Sequence, residues 1–294
     1  MSSYRLPGKA LASYCPDGAT NLAQIIQRWQ SSRRSPIVIV ATPATPDNDA
    51  IADECARQAI PCYRGRNMDA LTQMDAALRL FAPNAAIVAR ALADNPLVDI
   101  PLSDWRYDVL CETGADGIEY SEEELKRITY AGTTDVWSRA AWDIIARESI
   151  GDEREHAGSY YWNNLWKFSR KRLPLPPREY LRAEIRTELD APEDLEVMRR
   201  VWAAWEEKGQ AGSMVNTLWA LQWLESHPDV AAINSRVELK TQSKPVVSAR
   251  GSAWVCPKCR KRTGTVDNGN LIVCCYNCGE PTKFYSHKPA KSPR

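Results

Sequence analysis

Ala86-Ile87-Val88-Ala89-Arg90-Ala91-Leu92-Ala93-Asp94-Asn95-Pro96-Leu97-Val98-Asp99 is a short apolar run that passes through an arginine into a carboxylate beside a turn. Residues 86–90 read as a buried strand, and Asn95-Pro96 is a chain-reversal signal that places Asp94 just past its end. Upstream the pattern alternates. Residues 21–31 carry Leu22, Ile25, Ile26 and Trp29 at helical spacing, and residues 37–41 form a continuous β-branched run. Asp47 opens a helix with Ile51, Cys55 and Ala59 on one face; residues 61–63 form a strand ending in Arg64-Gly65. Asp69 then caps a helix with the apolar face Leu71, Met74, Leu78 and Phe81. Short strands alternating with helices predict an α/β fold: a doubly wound, mostly parallel sheet. Ligands of such sheets sit beyond the carboxyl ends of the strands, where Arg64, Asp94 and the loop near Asp190 fall.

Downstream the periodicity is weaker. It predicts strands at 108–111, 133–137 and 184–189, a charged helix at 122–127, and helices at 192–207 and 214–225. Tryptophans 202, 205, 219 and 223 lie at helical spacing, which makes them core or the face of a homodimer. Residues 235–253 are polar without a period and read as a linker. The chain thus divides into a domain at 1–234, a linker at 235–253 and a C-terminal module at 254–294.

Charge follows the same division. Residues 1–235 carry 26 Lys and Arg against 34 Asp and Glu, whereas residues 236–294 carry 12 against 3. The acidic body is no nucleic-acid surface; the basic tail admits contact with nucleic acid or with protein. No apolar run is long enough to span a bilayer and the first residues are polar, so the expectation is a cytoplasmic protein with no membrane partner.

The nine cysteines divide too. Four are scattered among apolar neighbours. Cys256-Pro257-Lys258-Cys259 and Cys275-Tyr276-Asn277-Cys278 are two CxxC knuckles fifteen residues apart, with Asp267-Asn268-Gly269 as a hairpin turn between them. Cys256, Cys259, Cys275 and Cys278 are the ligand set of a structural zinc ribbon, Zn²⁺ in a closed tetrahedron of thiolates. Cys274 competes with Cys275 for third place, and the knuckle spacing favours Cys275.

Two further segments carry chemistry. Arg5-Leu6-Pro7-Gly8-Lys9 sets two cations about a Pro-Gly turn, a loop suited to polyphosphate. Leu189-Asp190-Ala191-Pro192-Glu193-Asp194-Leu195 puts a carboxylate ahead of a helix; Asp190, Pro192 and Glu193 also read as an ordinary helix start. Cations on one loop and carboxylates on two others are the components of a metal–nucleotide site.

These segments, in order, resemble the cytidylyltransferase family that makes CMP-activated sugars. The similarity is greatest to the spore coat polysaccharide biosynthesis branch and more distant to the CMP-KDO and acylneuraminate synthetases. It runs over about residues 4–240, through the Arg5–Lys9 loop, Val38-Ile39-Val40-Ala41-Thr42, Tyr63-Arg64-Gly65, Arg90 with 94–99, Arg154-Glu155-His156, 189–195, His227-Pro228 and Ile233-Asn234. The resemblance implies a nucleotide-diphospho-sugar transferase-like (GT-A-like) fold and transfer of CMP from CTP to a sugar, with release of pyrophosphate. By the same resemblance Arg5, Gly8, Lys9, Arg64 and Arg90 contact nucleotide, with Arg5 and Lys9 on the triphosphate. Asp94 and Asp190 hold Mg²⁺, and Asp135 and His156 lie against the sugar.

Three departures stand out. The family pattern expects a buried strand and an Ala-Arg-Met-Gly-Ser-like loop ahead of Arg5, where this sequence has Met1-Ser2-Ser3-Tyr4; the expectation is either a start placed too late or a domain that lacks its first strand. Ala93 stands in place of a glycine and Gln73 in place of an arginine. Two rival functions follow: a GT-A-type glycosyltransferase using a nucleotide sugar, with a nucleic-acid acceptor brought by the ribbon, and a catalytically degenerate binding scaffold.

Overall fold

The computed structural model describes residues 6–66 and 69–237, together with two short strands at 272–274 and 281–283. In chain order, a one-turn 3-10 helix at Lys9–Leu11 leads to helix α1 (Asn21–Gln30), strand β1 (Val40–Pro43), α2 (Asp49–Arg57) and β2 (Cys62–Gly65). Then follow α3 (Ala70–Phe81), β3 (Ile87–Arg90), α4 (Ile100–Thr113), β4 (Gly117–Glu119), α5 (Glu122–Leu125), β5 (Asp135–Ser138) and α6 (Arg139–Glu148). The body ends with α7 (Asp152–Glu155), α8 (Ser159–Asn163), β6 (Arg170–Arg172), α9 (Pro192–Trp205), α10 (Thr217–Ser226) and α11 (Pro228–Ala231). Strands β7 (Ile272–Cys274) and β8 (Pro281–Lys283) pair antiparallel. Arg5, the linker beyond residue 237 and the cysteines of the expected ribbon, Cys256, Cys259, Cys275 and Cys278, lie outside the described residues.

The α/β class holds; the strand directions are mixed rather than mostly parallel. β1 pairs with β2 and β4 with β6 in parallel, while β5 runs antiparallel to both β3 and β4. The larger sheet has the order β3-β5-β4-β6. A parallel neighbour needs a crossover of a dozen residues or more, usually a helix, as α2 supplies between β1 and β2. Between β4 and β5 lie the single turn of α5 and a 3-10 turn at Tyr130–Gly132, and the chain returns in the opposite sense.

The early helices start where their caps dictate. Thr20, Asp69 and Ser138 each accept a backbone N–H from the third residue of α1, α3 and α6. β1 begins three residues later than its apolar run. Its partner β2 joins the ladder only at Pro61, whose carbonyl accepts from Val40 N–H; residues 37–39 pair with no strand among the described residues, and Ile37 is 62% exposed while Val38 and Ile39 pack against apolar clusters.

Two expected strands are absent. Residues 108–111 belong to α4, which runs from the N-cap Asp99, through Pro101 in its first turn, to a left-handed Gly114 at its end. Cap, proline and glycine together outweigh the β-branched cue of a four-residue window. Residues 184–189 begin in a turn closed by Ile185 N–H on the Arg182 carbonyl at 3.0 Å and continue without a ladder to Leu189, whose N–H bonds the Asp94 carbonyl at 2.9 Å. Elsewhere, Trp142 is fully buried in α6 while Trp166 is exposed. Trp202 and Trp205 are core residues of α9.

Among the described residues no helix is long and apolar enough to cross a membrane. The reading of α4 predicts unequal glycine substitutions. Gly114→Ala, at φ 63° with open space about its missing Cβ, costs about 1 kcal/mol through backbone strain. Gly117→Ala brings a Cβ to 2.5 Å from the Tyr161 hydroxyl and costs about 3 kcal/mol. Urea unfolding measures both, and two neutral variants would refute the placement.

Candidate functional site

Three segments far apart in sequence are anchored in one apolar cluster. Leu6 and Tyr14 come from the first segment, Leu97 from the loop after β3, and Leu189 from the stretch before α9. They meet Val197, Met198, Val201 and Trp202 of α9. Leu97 and Leu189 are fully buried, each contributing about 2 kcal/mol by its removal from water. The Tyr14 and Trp202 rings meet edge to face with centroids 4.6 Å apart, which ties the first segment to α9.

Above this cluster the charged groups converge. Lys9 Nζ donates to Asp190 Oδ1 at 2.6 Å and to Asp94 Oδ2 at 3.3 Å. The two carboxylates therefore approach within about 6 Å of each other across one ammonium. Gly8, at φ 76°, makes the turn that aims Lys9 inward, a left-handed conformation that favours glycine. Asn21 holds the two outer loops together, its Nδ2 donating to the Ala93 carbonyl at 2.7 Å and the Lys9 carbonyl at 3.2 Å. Tyr14 hydroxyl donates to Asn21 Oδ1 at 3.0 Å and fixes that amide.

Asp94 has a second support. Tyr130 hydroxyl donates to its Oδ1 at 2.8 Å. Burial, reinforced by the Asp94 charge, pushes the Tyr130 phenol far above its ordinary value, so it stays protonated and donates.

The helix-start reading of the third segment is settled by Asp194. Its Oδ2 accepts from both Asp190 N–H and Ala191 N–H at 2.8 Å, so the carboxylate that closes the N-terminus of α9 belongs to Asp194. The Asp190 side chain is directed to Lys9 instead. Asp194 is fully buried and is gripped in turn by Arg186 at 2.7 and 3.0 Å and by Asn234 Nδ2 at 2.9 Å. Glu188, paired with Arg186 at 2.6 Å, is a third acid beside the pair. Burial lifts its carboxyl above the usual range; Arg186 opposes the shift, and Asp94 and Asp190 add to it.

The remaining expected residues fall in two places. Arg90 and Asp135 are cross-strand partners at the ends of β3 and β5, with Arg90 Nη1 3.5 Å from Asp135 Oδ2. Arg64 binds Asp49 at 2.6 Å and the Thr45 carbonyl at 3.0 Å, at the ends of β1 and β2, and makes no bond to the Lys9 cluster. His156 is exposed at the C-terminal cap of α7. Its neighbour Arg154 ties that turn to Asp69 and Thr72 at the start of α3. Gln73, in the place of the expected arginine, is buried and accepts Gly65 N–H at 3.1 Å.

Sequence reasoning missed Asn21, Tyr130, Glu188 and the Asp194–Arg186–Asn234 network. Asp194 had a signal, an acid at the third helical position after Asp190. Tyr130 had none, because its partner lies 36 residues away.

Lys9 occupies the position between Asp94 and Asp190, and among the described residues no three His, Cys, Asp or Glu side chains gather as a metal site. The two carboxylates are the oxygen-donor type that suits Mg²⁺, the metal implied by the family resemblance.

No protein-family model matches the chain. The uncharacterized protein MJ1063 of Methanocaldococcus jannaschii is 26% identical over 218 residues, 74% of this chain and 84% of that one. A cytidylyltransferase structure from Leptospira borgpetersenii superposes with a TM-score of 0.67 at 20% identity, covering 79% of this chain and 92% of that one. A CMP:2-keto-3-deoxy-manno-octonic acid synthetase complexed with CTP covers 69% of this chain and 95% of its own at 12% identity, with a TM-score of 0.47, too loose to argue from.

Removal of the α9 carboxylate tests how the third segment is held. Asp194→Ala strips two backbone N–H groups, Arg186 and Asn234 of their acceptor, and costs about 3–5 kcal/mol in chemical denaturation. A loss below about 1 kcal/mol would contradict the network. The fold of this chain is that of a cytidylyltransferase structure, with a lysine and two aspartates gathered on one side of its core.

Proposed function

We propose that this chain transfers a cytidylyl group from CTP to a sugar hydroxyl and releases pyrophosphate. The observation that carries the reading is the meeting of Lys9, Asp94 and Asp190 from three distant loops on a cytidylyltransferase fold. Nucleotidyl transfer asks a protein chiefly to position two reactants and to neutralise phosphate charge.

The residues have distinct tasks. Lys9, with Arg5 earlier on the same loop, binds the triphosphate, and Gly8 lets the backbone approach it. Asp94 and Asp190 would hold Mg²⁺, which when bound supplies neutralising charge to the phosphates. Tyr130 fixes the Asp94 carboxylate through its 2.8 Å bond, and Asp194 fixes the backbone on which Asp190 stands. Arg90 and Asp135 form the polar wall where the sugar binds. In the same reading Cys256, Cys259, Cys275 and Cys278 hold a structural zinc outside the catalytic domain.

Pyrophosphate release from each nucleoside triphosphate, with Mg²⁺ and a panel of sugars, tests the assignment. Turnover is expected with CTP, and Lys9→Met, Asp94→Asn and Asp190→Asn each lower kcat about 100-fold or more. An active wild type matched by both aspartate variants would sink the metal assignment. Release of pyrophosphate without any sugar dependence would sink the transfer reaction. For the C-terminal module, metal analysis is expected to find one zinc per chain, lost in Cys259→Ser; zinc-free wild-type protein would end that part of the reading.

A further inference from the structure

Lys9 engages the same two aspartates that the proposed reaction assigns to a divalent cation. Its Nζ lies 2.6 Å from Asp190 Oδ1 and 3.3 Å from Asp94 Oδ2. The side chains are largely withdrawn from water, with Lys9 15% exposed, Asp190 6% and Asp94 23%. Charges so placed are screened little by solvent or salt, and their attraction is strong. The other oxygen of Asp94 accepts from the Tyr130 hydroxyl at 2.8 Å, so both oxygens of that carboxylate are engaged. Mg²⁺ takes oxygen ligands at about 2.0–2.1 Å and gives up its hydration reluctantly. Like charges at such range repel, so an ammonium and a divalent ion exclude each other from one pair of oxygens.

The lysine is placed to leave without disturbing the fold. Its N–H donates to the Leu6 carbonyl at 3.2 Å, and its own carbonyl accepts from Ala12 N–H at 3.3 Å and from Asn21 Nδ2 at 3.2 Å. The backbone is pinned, whereas the ammonium rides on a flexible four-carbon stem with three rotatable donors. Rotation of that stem alone can carry the charge to another anion. A triphosphate offers several charged oxygens, and charge-assisted bonds to phosphate are among the strong ones. Glu188 is compensated by Arg186 at 2.6 Å, so the carboxylates that lose a cation when Lys9 leaves are Asp94 and Asp190.

We propose that Lys9 is an exchangeable internal cation: without nucleotide its ammonium keeps divalent metal off Asp94 and Asp190, and a polyphosphate that draws it away opens both carboxylates. This rests on the proposed roles of Lys9 as a phosphate ligand and of the aspartates as metal ligands, and it adds an order of binding. The divalent ion arrives with the nucleotide or after it, not before, because an earlier arrival must displace a largely buried ammonium. The coupling is reciprocal by linkage: whatever factor nucleotide adds to metal affinity, metal adds to nucleotide affinity.

Titration of the full chain with Mn²⁺, followed by electron paramagnetic resonance, reads the exchange without turnover; carboxylate oxygens suit Mn²⁺ as they suit Mg²⁺. Without nucleotide, Lys9→Met is expected to bind Mn²⁺ about tenfold or more tightly than wild type. Lys9→Arg, which keeps the charge, stays within about threefold of wild type. Adding Asp190→Asn to Lys9→Met removes the gain, which separates the aspartate pair from any metal site in the cysteine-rich tail. At saturating α,β-methylene CTP, an unreactive analogue, the wild type and Lys9→Met converge to within about threefold, because phosphate then holds the lysine.

The proposal is overturned if Lys9→Met binds Mn²⁺ no more tightly than wild type, or if Lys9→Arg binds it as tightly as Lys9→Met. It is also overturned if the gain survives Asp190→Asn, or if the difference persists at saturating analogue. Should Lys9→Met fail to fold, Lys9→Gln, neutral but still a hydrogen-bond donor, carries the same comparison. Tighter Mn²⁺ binding in Lys9→Met with no pyrophosphate release by wild type on any nucleotide would sink cytidylyl transfer and leave the exchange standing. Wild-type turnover with equal Mn²⁺ affinity in wild type and Lys9→Met would do the reverse.

Discussion

The ammonium of Lys9 is the point on which the site depends. It lies between two carboxylates from loops that would otherwise repel each other, Asp94 after β3 and Asp190 before α9. Without a cation, the repulsion between two partly buried carboxylates this close would push those loops apart. With it, the loops can be drawn over a common apolar floor, and Leu6, Leu97 and Leu189 pack into the same cluster. Charge and packing therefore reinforce each other: the cluster brings the loops together, and the lysine makes their polar tips compatible.

The division of labour among the acids is the second organising fact. Asp194, fully buried, serves structure: it closes the N-terminus of α9 and compensates Arg186. Asp190, four residues earlier, keeps its side chain for Lys9. Had Asp190 capped the helix itself, its carboxylate would have turned toward the backbone and away from Lys9. Tyr130 plays the corresponding part for Asp94, and Asn21 ties the backbones of the two outer loops. Lys9, Asp94 and Asp190 are thus oriented by Asn21, Tyr130 and the buried Asp194, an arrangement suited to chemistry that turns on position.

The alternation of periods made the α/β class, the early helices and the ends of β2 and β3 legible in the sequence. Those elements are governed by local rules, a capping side chain and an apolar stripe, and the residues that satisfy them are neighbours in the chain. The expected strands at 108–111 and 184–189 failed for a related reason. Four apolar residues do not distinguish a strand from the last turn of a helix, and the cap at Asp99 and the stop at Gly114 decided the first case. In the second, an extended segment became a strand-like connector whose one bond to the β3 loop, from Leu189 to Asp94, fixes its place.

Taken alone, the sequence determined which residue types were available for phosphate and metal chemistry and in what order, because glycine, lysine and aspartate have fixed conformational and charge properties wherever they stand. Only the tertiary structure decided which of them meet. Lys9 bonds an acid 181 residues away while Arg64 stays with Asp49, and Arg106, unremarkable inside a helix, is buried against the Gly132 carbonyl and the Tyr120 ring. The physical reason is that ion pairs and burial depend on distances through space, which are set by how the helices and sheet pack, and no local pattern along the chain encodes them.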